Sequence, residues 1–458
     1  MIKLEDHLHG GGPKRILSLD GGGIRGILTL GFLERMEELL AKENNNPDFR
    51  LCDYFDLIGG TSTGSIIATG LAIGMKASEI KHKYFELGSK IFGHKTGFFQ
   101  YLFKGVKYDS KPLELALKSY FGDIKLGDKE NVLTGLCIFS KRAETFSTWA
   151  IHNHPDGKYY AQNKDWPLWQ VVMASAAAPT YFLPMFLKDS AGEQGAFIDG
   201  GISMINNPSF RLFLLGSLNS YPFRWKIGKR NMLLVSVGTG VSDNKSSYEA
   251  YQKNNLMEWA AKMPDFFMYD ANLANQMIMQ ILGDSPTSVS IDSEMGNLHE
   301  ELFLGFRALT YLRYNVNLAK QDLDALGIEL SSEQLKTIGE MDNPKNLEML
   351  ALIGEKAGGA YVLEDHFKGF MNINHAAAQN EYFVSGTSYD LPFESYTKKD
   401  IPIGAVKIDH EFEIMTMEGL MKGKAGDYLI KGVRGEYYAC DEEVFKETYA
   451  KTLGNGRT

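Results

Sequence analysis

The chain has 458 residues, room for about three domains at roughly 150 residues each, and its core needs no disulfide or metal staple. Its 48 Lys and Arg against 57 Asp and Glu leave a formal charge of −9, which argues against a dedicated binder of DNA or RNA polymers. With 44% hydrophobic and 23% charged residues, and no run near the roughly 18 apolar residues of a membrane span, it reads neither as disordered nor as membrane-spanning.

Cys52, Cys137 and Cys440 lie far apart with no CxxC pair, which suits a reducing cytosol and excludes a zinc ribbon or disulfide scaffold. Met1 to Gly12 is polar and Gly-rich and does not read as a signal peptide. The expectation is a cytoplasmic protein.

In chain order, Arg15 to Leu19 predicts a strand, Asp20-Gly-Gly-Gly-Ile-Arg-Gly26 a turn, and Leu28 to Leu40 a helix. The same grammar returns at once. Tyr54 to Ile58 predicts a strand, Gly59 to Gly64 a tight turn, and Ser65 to Ile73 a small-residue helix. Val132 to Phe139 predicts a further strand, and Leu168 to Ala178 a buried helix stopped by Pro179. Ala196 to Ile198 leads into Asp199-Gly-Gly201, and Met232 to Val237 into Gly238-Thr-Gly240. Strands that each end in a Gly turn, with helices between, predict a mainly parallel α/β sheet with its chemistry at the carboxyl ends. From Tyr248 to about Ala357 the pattern is helical, with long helices over Met257–Leu282 and Ser332–Glu355. Residues 371–399 read as a linker and 400–458 as a small β-rich appendage.

Gly60-Thr-Ser62-Thr-Gly64 fits G-x-S-x-G. Between a strand and a helix, this pattern puts a serine on a sharp turn with its hydroxyl exposed and a helix N-terminus beside it. Such a serine needs a base. Among ten histidines the downstream candidates are His152, His154, His366, His375 and His410, and none follows a strand in a Gly-framed turn. Asp199 does, and a carboxylate buried there gains the raised pKa of a usable base; capping of its own turn is the plainer alternative. The glycines at 21–23 expose N–H groups to an anion, either a nucleotide phosphate or the oxyanion of a tetrahedral intermediate. Arg25 beside them either touches a phosphate or locks the turn.

Asp-Gly-Gly-Gly-x-Arg-Gly at 20–26, Gly-x-Ser-x-Gly at 60–64, Asp-Gly-Gly at 199–201 and Ala174-Ser-Ala-Ala-Ala-Pro-Thr-Tyr-Phe182 together resemble the patatin-like phospholipase family over residues 13–370. The resemblance implies a three-layer α/β/α fold and a lipid acyl hydrolase. It implies a Ser62–Asp199 dyad without histidine, an oxyanion hole from Gly21, Gly22 and Gly23, and supporting roles for Arg25, Gly60, Gly64 and Gly200. No metal or cofactor is implied. The link from Asp199 to Asn207-Pro208 is longer than is common in the family.

The N-terminal half is also similar to bacterial patatin-like effectors of antiphage signalling, which attack the host membrane when a cyclic oligonucleotide activates them. That implies a phospholipid substrate at the inner face of the cell membrane, a cyclic-oligonucleotide activator and a homo-oligomer. The last sixty residues, with Gly423 to Ile430 and Gly435-Glu-Tyr-Tyr438, resemble a small Gly-Asp-Tyr cassette of bacterial and phage proteins.

Residues 81–107 hold six lysines (81, 83, 90, 95, 104 and 107) against Glu86, interleaved with seven aromatic residues. This local charge of +5 suits a lipid surface, a nucleotide patch, or lysines that merely snorkel beside a core helix. Met257, Met263, Phe266, Phe267, Met268, Met277 and Met279 suit an acyl pocket or ordinary helix packing. Two rival functions remain at this point: a nucleotide-binding switch, and a patatin-like interaction protein without activity.

Overall fold

Strand β1, Lys14–Leu19, is buried along its whole length, so it occupies the middle of a sheet covered on both faces. The computed structural model describes residues 2–92, 106–242, 255–371, 403–416, 419–433 and 435–450. Two units make up the chain. The larger comprises Met1–Glu301 with Arg307–Ala378, and the smaller Leu302–Phe306 with Gln379–Thr458. The linker expected over 371–399 lies outside the described residues, apart from Met371.

In the larger unit β1 pairs in parallel with β2 (Leu57–Thr61) on one side and β7 (Met232–Val237) on the other. β3 (Gly135–Arg142) extends the parallel core beyond β2, and β9 (Leu309–Tyr314) extends it beyond β7. The antiparallel strands β4 (Ser147–His152), β5 (Met185–Lys188) and β6 (Gln194–Asp199) gather at the β3 end. Period-2 alternation sends Leu17, Leu19, Ile58, Leu136, Val235 and Leu312 into one apolar layer beneath the helices Gly26–Glu43, Thr63–Ala72 and Leu347–Tyr361. The opposite face meets the helix Ser209–Ser217, where Leu212 packs against Gly59. The mainly parallel sheet between helical layers is the expected three-layer α/β/α fold.

Three expectations are corrected. Gly59, Gly60 and Thr61 belong to β2 and not to the turn, because they pair with β3 and β1. The helical stretch to Ala357 contains the strand β9, bordered at the sheet's edge by the short β8 (Gly283–Asp284), and its Thr310, Tyr311 and Tyr314 have the β-branched and aromatic character that sheets favour. The single helix over Ser332–Glu355 is two, Ser332–Thr337 and Leu347–Tyr361, because Pro344 removes a donor and forbids helical backbone before it.

The smaller unit holds the three-stranded antiparallel sheet β10-β13-β14 (Gly404–Lys407, Tyr428–Lys431, Tyr437–Cys440) and the hairpin β11-β12 (Phe412–Thr416, Gly419–Gly423). Phe445 stacks between Tyr428 and Tyr449, at 3.8 and 4.9 Å.

The helices Gly26–Glu43 and Leu347–Tyr361 cross backbone to backbone. A β-carbon on Gly354 would press on the Leu28 carbonyl, and one on Gly358 would lie 2.5 Å from the Gly31 oxygen. Gly354→Ala is therefore expected to destabilise the protein by about 1–3 kcal/mol through overpacking. Urea denaturation followed by circular dichroism measures it, and an unchanged midpoint refutes the close crossing.

Candidate active site

The site forms where two strands meet end to end. One edge of β3 pairs with β2 through Thr61↔Phe139, and then with antiparallel β6 from Ser140↔Asp199 onward. The other edge belongs to β4. The carboxyl ends of β2 and β6 therefore abut, and Ser62 meets Asp199. The sequence placed Asp199 on this rim as the end of a strand, and it reaches the rim on an antiparallel one.

Ser62 leaves β2 at φ 53, ψ −123. This is a strained conformation for a residue with a side chain, costing on the order of 1–3 kcal/mol. Close neighbours hold it there. Its N–H donates to Ser175 Oγ (2.9 Å), and the Ser175 hydroxyl donates to the Phe139 carbonyl (2.6 Å). The Asp199 N–H donates to the Ala177 carbonyl (3.0 Å). The end of the helix Leu168–Ala176 thus ties both residues together, which explains the Ala174–Phe182 block. Gly60, Gly64 and Gly200 permit close packing: a β-carbon at Gly64 would strike the Leu19 and Asp20 backbone, one at Gly60 the Gly64 backbone, and one at Gly200 the Phe139 oxygen at 2.8 Å.

The Asp199 carboxylate is buried beside the Ser62 hydroxyl and accepts the Gly201 N–H at 2.7 Å. Burial pushes its pKa up to about 6, and the Ser62 hydroxyl and the Gly201 N–H offset that only in part. A carboxylate so placed is a base that a proton still finds near neutral pH.

The glycine loop faces Ser62, with a Gly21 β-carbon position 3.2 Å from Ser62 Cβ. Its hydrogen bonds narrow the expected set of three donors. The Gly21 N–H is already donated to the Asn206 carbonyl (3.0 Å). The Gly21 carbonyl accepts from Thr239 Oγ1 (3.0 Å), and the Gly22 carbonyl from the Arg25 N–H (3.2 Å). A trans peptide points its N–H opposite to its carbonyl. Anchoring those two carbonyls therefore aims the Gly22 and Gly23 N–H groups the other way, and neither has a partner among the described residues. Arg25 itself donates from Nη1 to Ser242 Oγ (2.8 Å). Burial lowers its guanidinium to about 10 despite the nearby Asp265 and Asp20 carboxylates.

Sequence reasoning missed Arg313. From β9 it grips Asp20, the first residue of the glycine motif, in a bidentate pair at 3.0 and 2.7 Å, and it also donates to Ser236 Oγ at 2.8 Å. An arginine inside a buried strand was the available signal. Asn206 was read only as part of a loop. Its Oδ1 lies 2.5 Å from the β-carbon position of Gly21 and 2.8 Å from that of Gly201, so it joins the two turns.

The candidate histidines are occupied elsewhere. His152 and His154 pack on Phe223, His366 pairs with the Tyr314 hydroxyl (2.8 Å), and His410 pairs with Asp409. His375 lies outside the described residues. His9, His154 and Asp156 bring possible metal-ligand atoms within 4.8 Å of one another. However, His154 Nδ1 accepts the Asp156 N–H (3.2 Å), which leaves the proton on Nε2 and makes that nitrogen a donor rather than a ligand.

Within 81–107, Lys81 pairs with Glu34 (2.8 Å), Lys83 lies over Tyr120, and Lys107 lies over Tyr181. Residues 93–105 are outside the described residues. On the helix Leu256–Leu282, Met279 is buried, whereas Trp259, Met263, Phe266 and Phe267 are exposed.

Residues 17–212 match the family model of the patatin-like phospholipases. Patatin-1-Kuras 2 from Solanum tuberosum is 27% identical over 357 residues, covering 73% of this chain and 89% of that protein. A cGAMP-activated phospholipase from Escherichia coli (strain TW11681) is 32% identical over 237 residues, covering 49% of this chain and 62% of that one. Among solved structures, VipD from Legionella pneumophila aligns with a TM-score of 0.30 at 13% identity, over 74% of this chain and 67% of that one.

Arg313→Leu is expected to cost about 3–5 kcal/mol, because it strands the buried Asp20 carboxylate. Adding Asp20→Asn should restore much of that loss. Chemical denaturation of the single and double variants measures both, and a harmless Arg313→Leu rules the anchor out.

Proposed function

We propose that this chain, which carries a patatin-like phospholipase domain over residues 17–212, is a serine lipid acyl hydrolase that releases fatty acids from membrane phospholipids. The observation that carries the reading is the abutment of β2 and β6, which sets a strained Ser62 beside a buried Asp199 carboxylate raised to about 6.

Ser62 Oγ attacks the ester carbonyl while Asp199 takes its proton. The carbonyl oxygen becomes an oxyanion held by the Gly22 and Gly23 N–H groups. Collapse breaks the ester C–O bond, and the leaving lysolipid alkoxide takes the proton back from Asp199. Water, deprotonated by Asp199, then attacks the acyl-enzyme. The fatty acid leaves and Ser62 is regenerated. Arg25 keeps the Gly22 carbonyl turned away from the site through its own N–H.

Membrane contact is supported by the exposed Trp259, Met263, Phe266 and Phe267 on the helix whose Asn272 bonds Asn206, and by Ile202 and Met204 just after Asp199. Among the described residues no helix is long and apolar enough to cross a membrane. The likeness to a protein named cGAMP-activated phospholipase supports a cyclic-nucleotide activator. An antiphage effector role in the cytoplasm, at the inner face of the membrane, is part of the same proposal.

Ser62→Ala and Asp199→Asn should each abolish fatty-acid release, and a fluorophosphonate probe should label Ser62 in the unaltered chain. Labelling elsewhere, or full activity in either variant, refutes the dyad and favours a phosphate-binding loop.

Activity should rise through pH 6 as Asp199 loses its proton, and level off above. The sign for stability is opposite. The raised pKa means that the folded state holds the proton longer than the unfolded chain, so stability falls as pH rises from about 4 to 6. Asp199→Asn should therefore be more stable than the unaltered protein at pH 7, by on the order of 2–3 kcal/mol, though inactive. Thermal melts at pH 4 and pH 7 test this, and an equal margin at both refutes it.

Lipid release measured with and without a panel of cyclic oligonucleotides should show low basal activity and activation by one of them. High activity without any, unchanged by all, removes the proposed activator.

A further inference from the structure

Tyr84, on the helix Ala77–Phe92, reaches the site from outside the sequence motifs. Its hydroxyl donates to the Gly23 carbonyl (2.5 Å) and is also hydrogen-bonded to Thr63 Oγ1, the side chain next to Ser62. The Tyr84 O–H is committed to the carbonyl, so the Thr63 hydroxyl must be the donor in the second bond. This makes a short relay from the residue after the nucleophile to the glycine loop.

The loop is shaped around this relay. Gly26 has no β-carbon where one would lie 2.5 Å from Thr63 Oγ1 and 2.7 Å from Tyr84 Oη. The last glycine of Asp-Gly-Gly-Gly-x-Arg-Gly therefore makes room for the two hydroxyls. The peptide between Gly23 and Ile24 is held at both ends, its oxygen by Tyr84 and its N–H by the Met341 carbonyl (2.9 Å).

The position of the phenol is itself well determined. The Ala77 N–H donates to Glu37 Oε2 (2.8 Å), Lys81 pairs with Glu34 (2.8 Å), and the Tyr120 hydroxyl donates to the Lys83 carbonyl (2.9 Å). Burial pushes the Tyr84 phenol further above its ordinary value, so it stays protonated and a donor throughout the working pH range.

We infer that Tyr84 is a positioning residue that sets the glycine loop relative to Ser62, through its hydroxyl bonds to the Gly23 carbonyl and Thr63. The inference rests on the Ser62–Asp199 reading and on Gly22 and Gly23 as oxyanion donors. Tyr84 touches no reacting atom. Tyr84 is one of three ties on the Gly23–Ile24 peptide, beside the Gly26 N–H on the same oxygen and Met341 on the Ile24 N–H, and its loss loosens Gly23, whose own N–H lies in the preceding peptide and faces the oxyanion. The oxyanion exists only after attack. The loss therefore falls on kcat and not on KM.

The test uses the full purified chain on a soluble short-chain ester, so that membrane binding does not enter. Direct loss of one oxyanion donor costs about 100- to 1,000-fold in kcat, and an indirect loosening should cost roughly tenfold. Tyr84→Phe and Thr63→Val should each lower kcat by that amount, leave KM within about twofold and slow fluorophosphonate labelling in parallel. The double variant should lose little more than either single one, as members of one unit do.

Ser62→Ala is the control. If it stays active, the dyad reading itself fails. If it is inactive while Tyr84→Phe and Thr63→Val keep the unaltered kcat, or raise KM alone, the positioning role is overturned. Should Tyr84→Phe lower the melting temperature enough to confuse its rate, Thr63→Val decides by the same criterion.

Discussion

The shared edge of β3 is the constraint from which the rest of the site follows. β2 occupies that edge through Phe139, and β6 takes over at Ser140 from the opposite direction. Two strands that collide head-on cannot continue, so each must turn out of the sheet within one residue. β2 does so at Ser62 with a positive φ, and β6 does so at Asp199 before Gly200. A hydroxyl and a carboxylate then face each other across a gap set by strand pairing, not by flexible loops. Ser140 at the junction reaches the carbonyls of Ala174 (2.7 Å) and Ile198 (2.9 Å), which binds the helix end to the same point.

The two ends of the sheet treat buried aspartates in opposite ways. Asp56, at the amino end, lies beside His7, Lys14 and Arg15 and accepts the Arg15 N–H at 2.8 Å. Burial alone would raise it, but the His7 bond and the Lys14, His7 and Arg15 charges outweigh burial and hold its pKa below the ordinary value. Asp199 is buried as well, and no cation contributes to its shift, so burial prevails. One aspartate is a tie between the N-terminal helix and the core. The other is kept uncomfortable as an anion, the environment that the proposed base requires. Asp20 is a third case: Arg313 grips both its oxygens and fixes the start of the glycine motif, yet burial still raises its pKa. Burial is common to all three, and the neighbours decide the role.

The turns that carry Ser62, Asp199 and the glycines were legible because such turns demand particular residue types, and those demands are local in sequence. Their partners were not. Arg313 comes from a strand that reads as part of a helical stretch, and its carboxylate lies 293 positions away. Asn206 read as part of a loop with an unusual length, yet it contacts both Gly21 and Gly201. Tyr84 sat inside a basic aromatic segment whose composition left a lipid surface, a nucleotide patch and a core helix open, and the structure buries its ring and turns its hydroxyl to the loop. The direction of β6 was invisible because pairing sense is decided by the partner strand. In each case the missing information is a long-range contact, which periodicity and composition do not encode.

The glycine loop shows why a motif names a loop without naming its open donors. Three glycines offer three N–H groups, and sequence has no means to rank them. The fold ranks them by consuming the rest. Asn206 takes the Gly21 N–H, Thr239 turns the Gly21 carbonyl outward, the Arg25 N–H turns the Gly22 carbonyl outward, and Met341 takes the Ile24 N–H. Because each peptide is planar, fixing a carbonyl fixes the N–H on its far side. Among the described residues, the Gly22 and Gly23 N–H groups are left without a partner. In the proposed reading, these two N–H groups are the ones left for an acceptor that is not part of the fold. The oxygen of a bound ester is an acceptor of that kind.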